Sequence, residues 1–166
     1  MFKIISMILS LKIKNMKMLT LGLIFALAIC LSIFIYYYYP TTIEGIVDHK
    51  TVVGVKDGAA KTILLIKLDG TVIVKDENVK QHVMGTNITS LEKIKSILHM
   101  YYAKVYCTVS IRTLTGDPLN NLAPGETLAY IVSEEYFDML KIGAKVKFEI
   151  TRVNPLKISK IVEIEL

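Results

Sequence analysis

Residues Met18–Pro40 read MLTLGLIFALAICLSIFIYYYYP, and no charged residue stands between Lys17 and Glu44. As a helix, the twenty-two residues from Met18 to Tyr39 would rise about 33 Å at 1.5 Å each, enough to cross a hydrocarbon core of about 30 Å. A helix also satisfies every backbone polar group within the segment, as lipid requires. Lys17 marks one flank, and Tyr36, Tyr37, Tyr38 and Tyr39 gather at the other, where aromatic side chains suit a membrane interface. Pro40 then ends the helix. The stretch therefore reads as a transmembrane helix over 18–39. A buried helix of a soluble core seldom runs this long with nothing more polar than Thr20 or Ser32.

The flanks give a direction. Lys3, Lys12, Lys14 and Lys17 precede the run, whereas Glu44, Asp48 and a single Lys50 follow it. Positive-inside bias predicts a single-pass protein of the cell membrane, with its N-terminus cytoplasmic and its C-terminal domain extracytoplasmic. Cleavable signals have apolar stretches of about 7–15 residues and a small-x-small site. This run is longer and closes on tyrosines, so an uncleaved signal-anchor is expected. Leu27-Ala28-Ile29-Cys30 has the outline of a lipoprotein signal, but Ile29 occupies the place of a small residue. Residues 1–17 form a basic cytoplasmic leader. Within it Lys3, Ser6, Ser10, Lys14 and Lys17 recur at helical spacing, the pattern of an amphipathic helix on an anionic leaflet, although Lys12 interrupts the apolar face. A start at Met16 or Met18 is an equal alternative.

Beyond the anchor, residues 41–166 are the length of one domain. The mean hydropathy of +0.47 and 52% hydrophobic content owe their excess to the segment before Pro40. The net charge of +5 is similarly uneven: from Thr41 onward there are 16 Lys+Arg against 15 Asp+Glu. A near-neutral domain lacks the long-range basic field that nucleic acid attracts. The two cysteines, Cys30 and Cys107, belong to no CxxC pair.

Ile43–Val55 (IEGIVDHKTVVGV) is β-branched and interrupted by Gly45 and Gly54, as in a strand that bends or bulges or in two short strands. Lys61–Leu68 and Thr71–Lys75 flank Asp69-Gly70, which predicts a hairpin with a two-residue turn, central in its sheet because apolar residues occupy both faces near Ile63–Ile66. Asp76–Asn87 is polar and reads as a loop. Thr89 and Glu92 form a capping box, and Leu91, Ile94, Leu98 and Tyr101 continue at helical spacing to about Tyr102. Ala103, Val105, Cys107, Val109 and Ile111 alternate with Lys104, Tyr106, Thr108, Ser110 and Arg112, a half-buried strand with Cys107 facing inward. Thr113–Gly125 is a long loop. Leu128–Val132 is a strand, Ser133 caps a helical turn to Leu140, and Gly143 ends it. Val146, Phe148 and Ile150 lie on the inner face of another strand. After Asn154-Pro155, a last strand points Ile158, Val162, Ile164 and Leu166 inward, with Lys160 out of phase at a bulge. The fold class predicted is an N-terminal transmembrane α-helix followed by a mainly β domain: a small β-barrel, OB-like in the order of strands and helix alone, with one helix and one short helical turn.

No catalytic residue is expected, and no metal or cofactor. His49, His82 and His99 have no partner at a metal-ligand spacing, and Asp48 and His49 would point to opposite faces of an extended strand. No nucleophile elbow, phosphate loop or dinucleotide fingerprint is present. The acidic pairs Asp76-Glu77 and Glu134-Glu135 fall where a hairpin leaves its sheet and where a helical turn begins, places that call for structural roles. Asn87-Ile88-Thr89 fits the acceptor pattern for glycosylation. The outward row carrying Tyr106 and Arg112 is the candidate binding surface, because an aromatic ring and a planar cation on a strand can stack on bases or sugars; the loop 113–125 is its companion. These features point to an anchored, non-enzymatic binding or scaffolding module whose partners are the membrane and another membrane or envelope protein. The alternatives are an OB-like receptor for a polymeric ligand, oligosaccharide or nucleic acid, and a hydrolase with a site assembled from distant residues.

Overall fold

The computed structural model of the 166-residue chain describes residues 2–67, 69, 71–83 and 92–165. It divides into two compact units, Met1–Tyr39 and Pro40–Leu166. The first is a single helix, α1 (Phe2–Tyr38). Its Thr20–Tyr38 stretch has a mean hydropathy of 2.2 and no buried residue, and is long and apolar enough to cross a membrane, a property of anchors and signal sequences alike. Ser32 Oγ donates to Ala28 O at 2.8 Å, so this polar side chain is satisfied within the helix. Phe34 and Tyr38, one turn apart, stack with ring centres 4.6 Å apart.

The second unit is a mostly antiparallel sheet built on one long strand, β1 (Thr41–Lys56). One edge of β1 takes β4 (Lys104–Thr113). The other takes β6 (Lys145–Ile150) along Thr41–Ile46 and β2 (Ala59–Ile66) along Lys50–Lys56. β3 (Val72–Val74) lies outside β2, β5 (Thr127–Val132) outside β4, and β7 (Lys160–Glu165) outside β6. Among the described residues, three helices accompany the sheet: α2 (Glu77–Val83), α3 (Glu92–Tyr101) and α4 (Glu134–Met139).

β1 is one strand, and a bulge resets its phase. Against β4 the register skips between Val47 and His49, so the buried positions run Ile43, Gly45, Val47 before it and Lys50, Val52, Gly54 after it. Both glycines sit where the backbone is crowded. A Cβ on Gly45 would collide with the Ile111 side chain and lie 2.8 Å from Arg112 O; one on Gly54 would collide with the Tyr102 ring and lie 2.6 Å from Ile63 Cδ1.

Several elements depart from the sequence reading. The sheet is not closed into a barrel: the path β3-β2-β1-β4-β5 ends on a β3 of three residues, too short to ladder across to β5. An isolated parallel bridge joins Ile131 of β5 to Lys157. The two-residue Asp-Gly turn belongs to Asp57-Gly58, both with positive φ (52° and 79°), between the partners Lys56 and Ala59. The second hairpin does form, but it pairs Ile66 with Val72, and Lys67 N donates to Thr71 O at 3.0 Å, a register centred on Asp69. It places β2 inside the sheet and β3 at its edge. Residues 77–83, read as loop, are helical because Asp76 Oδ1 accepts from Asn78 N (3.0 Å) and Val79 N (3.2 Å), an N-cap that starts α2. In β7 another register skip, between Lys147 and Phe148 of its partner, leaves Ile161 and Ile164 packed on the core and Val162 exposed. Asn87, Thr89, Leu91 and Leu166, and with them the glycosylation acceptor and the capping box, lie outside the described residues.

The core fills the concave side of the sheet. Ile43, Val47, Val52, Val109, Ile111 and Phe148 from the strands meet Val79 of α2, Leu98 of α3 and Phe137 of α4, and Tyr130 packs edge-on against Phe148 at 4.9 Å. Cys107 is buried on the inner face, as the alternation predicts. Ser133 Oγ accepts from Tyr136 N at 3.2 Å and starts α4, also as predicted.

Candidate functional site

A concavity of about 620 Å³ runs along the outer flank of β5. Its floor is apolar, from Ile131, Val132 and Ile158, and its walls carry Tyr106 of β4, Tyr136 of α4 and the segment Thr151–Ser159 that leads into β7. The segment is held in place by backbone bonds: Ile131 N donates to Leu156 O (2.7 Å) and Ile158 N to Ile131 O (2.9 Å), with Ser159 N on Glu149 O (2.8 Å). Around the floor, the Tyr106 and Tyr136 hydroxyls, the Asn154 amide and the Lys157 ammonium form no hydrogen bond or ion pair with any described residue. Tyr106 is 38% exposed. The concavity thus combines an apolar floor and aromatic walls with polar side-chain ends that have no partner among the described residues.

Of the two binding residues named from sequence, Tyr106 lies in this groove. Arg112, exposed at the far end of β4, does not line it. Six residues of strand separate them by about 20 Å, so one short ligand cannot stack on both.

The β1 bulge makes a second site. It brings the Asp48 and His49 side chains together, Nδ1 to Oδ2 at 2.9 Å, against the expectation that they would diverge. The pair borders a pocket of about 330 Å³ with Leu65 and Lys67. A histidine oriented through Nδ1 by a carboxylate keeps Nε2 for proton transfer, yet the described lining holds no hydroxyl or thiol nucleophile. His82 instead meets its own helix at Asn78 O (2.8 Å) and the edge of Tyr101, and His99 is exposed on α3. Among the described residues no group of three His, Cys, Asp or Glu could hold a metal.

No known protein family, curated protein or solved structure matches this chain.

The remaining polar interior is structural. The same bulge turns Lys50 inward, where Nζ donates to Leu140 O at 3.0 Å and lies 4.4 Å from the Phe137 ring centre. Burial lowers its pKa, opposed by the charge of Asp138. Burial pushes the Cys107 thiol up to about 12, helped by Glu134 and Asp138. Burial also raises Asp76, but hydrogen bonds from Lys61 (2.9 Å), Tyr102 (2.7 Å) and Val79 N outweigh it and hold the carboxyl at about 2. Asp117, fully buried in the β4–β5 loop, accepts from Tyr130 Oη, Leu119 N, Asn120 N and Asn120 Nδ2, and thereby folds that loop against the core. Glu134 pairs with Lys95 at 2.6 Å. Asp76-Glu77 thus begins α2, in a stretch read from sequence as loop, and Glu134-Glu135 begins α4, as its position in sequence suggested.

Proposed function

We propose that residues 41–166 form a non-enzymatic binding module, held at the outer surface of the cell membrane by an uncleaved helix, and that its ligand occupies the groove between Tyr106 and Tyr136. The groove carries this reading: an apolar floor is flanked by two tyrosine rings, and four polar ends without a partner among the described residues surround it, the lining expected of a binding cleft. The orientation rests on the four lysines that precede the apolar stretch of α1. The β3-β2-β1-β4-β5 order with helices between β3 and β4 supports an OB-like reading of the core, an incompletely closed barrel whose open flank by β5 receives the ligand. The Asp48-His49 pair supports a hydrolase as the second reading. It ranks lower because the described pocket offers no nucleophile, and water activation there would lack an oxyanion partner other than Lys67.

A photoreactive phenylalanine analogue placed in turn at positions 106, 112 and 49, in native membranes, tests the assignment. Adducts should form at 106 and be suppressed by Tyr136→Ala. Adducts at 112 or 49 alone would move the site elsewhere.

A further inference from the structure

The groove's chemistry narrows what it can hold, given that it is the ligand site proposed above. A peptide added as a strand needs free backbone groups on the β5 edge. At the groove those of Ile131 are already bonded, its N–H to Leu156 O and its C=O to Ile158 N–H. A nucleic acid needs several cations along its phosphates, and Lys157 is the one cation among the described lining residues, in a domain that is close to neutral. An amphipathic helix lays an apolar face along a hydrophobic groove, whereas here Tyr106, Tyr136, Asn154 and Lys157 ring a floor of only three apolar residues among those described.

We infer that the groove binds an oligosaccharide that carries a carboxylate. The C–H face of a pyranose packs on a tyrosine ring, which is apolar across its face and polar at its hydroxyl. The ring hydroxyls of the sugar both donate and accept, and so match the Asn154 amide and the two phenols. The Lys157 ammonium, exposed and without an acidic partner among the described residues, takes the sugar carboxylate. No described lining residue is acidic, so nothing in the groove repels that charge. Glu134, just outside, is engaged by Lys95.

Calorimetric titration of the full-length protein in detergent micelles is the test, with tetragalacturonate as the acidic saccharide, cellotetraose as the neutral one, and oligothymidylate and an unstructured peptide as controls. Tetragalacturonate should bind more tightly than cellotetraose. Tyr106→Ala and Tyr136→Ala should each weaken it at least tenfold, with cooperative melting retained. Lys157→Gln should remove the preference for the acidic saccharide and leave cellotetraose unchanged. Saccharide binding unaffected by either tyrosine change, or absent altogether, would overturn the inference. If oligothymidylate or peptide binds instead with the same tyrosine dependence, the ligand class falls and the groove stands as the site. If no probe binds, the ligand class falls and crosslinking at position 106 decides the fate of the site.

Discussion

Replacing Asp76 by Asn should loosen the point where β2, α2 and the end of α3 meet. The carboxylate binds four donors: Oδ1 takes the N–H groups of Asn78 and Val79, and Oδ2 takes Lys61 Nζ and the Tyr102 hydroxyl. An amide oxygen can keep the two N-cap bonds, but the NH₂ that replaces Oδ2 can accept from neither partner. The Lys61 side chain is 59% exposed and turns to water, so its loss costs about 0–1 kcal/mol. The bond of buried Tyr102 to a charged acceptor contributes about 1.5–3 kcal/mol, part of it recovered when the hydroxyl accepts from the new amide. The sum is about 2 kcal/mol, or a melting point lower by about 8 °C for a domain of this size. The effect must also depend on pH. The folded pKa of about 2 lies below the ordinary 3.8, so the stabilisation is complete above about pH 4 and is lost as pH falls through 2. Urea titrations of both full-length proteins in micelles at pH 7, 5 and 3 should show a gap that is equal at the first two and smaller at the third. A gap below about 0.5 kcal/mol, well under the charge-assisted range, or one that does not change between pH 5 and 3, would refute this.

Cys107→Ser should destabilise by about 1–3 kcal/mol through burial of a hydroxyl, and at pH 8, in a Cys30→Ser background, Cys107 should react with maleimide only after unfolding; an unchanged melting point or rapid labelling of Cys107 in the folded chain would contradict its inner-face placement. Gly54→Ala should cost about 2–3 kcal/mol, because the added methyl meets Tyr102 and Ile63; a melt within 1 °C of the parent would mean the contact is relieved by a shift of Tyr102. Protease added to intact cells should digest the C-terminal domain and spare the leader; protection of a C-terminal tag, or release of a shortened soluble form, would reverse or remove the anchor.

What could be read from the sequence was what local chemistry dictates. An uncharged run of this length allows little but a membrane-compatible helix, and strict alternation from Ala103 to Arg112 places Cys107 inside. Ser133 announces α4 for the same local reason. What stayed hidden depends on pairing. The bulge at Val47–His49 is set by the register of β1 against β4, and that single skip both joins Asp48 to His49 and buries Lys50. Likewise, the skip opposite Lys147 and Phe148 exchanges Ile161 for Val162 on the inner side. The Asp-Gly dipeptide occurs twice in the chain, and only the partners of its flanking residues show that Asp57-Gly58 takes the tight turn. The groove was half visible: Tyr106 stood out on its strand and Tyr136 sits on α4, but Asn154 and Lys157 become their neighbours through the Ile131–Lys157 bridge, a contact across 26 positions that no local pattern encodes.

Binding at the groove without turnover is most directly tested by mass spectrometry of tetragalacturonate after prolonged incubation with the full-length wild type, Tyr106→Ala and His49→Ala. The saccharide should be retained by the wild type and by His49→Ala, lost from Tyr106→Ala, and recovered in every case at its original mass. A shortened or modified product that forms with the wild type and disappears with His49→Ala would contradict the binding-only account and assign the chemistry to the Asp48-His49 pocket.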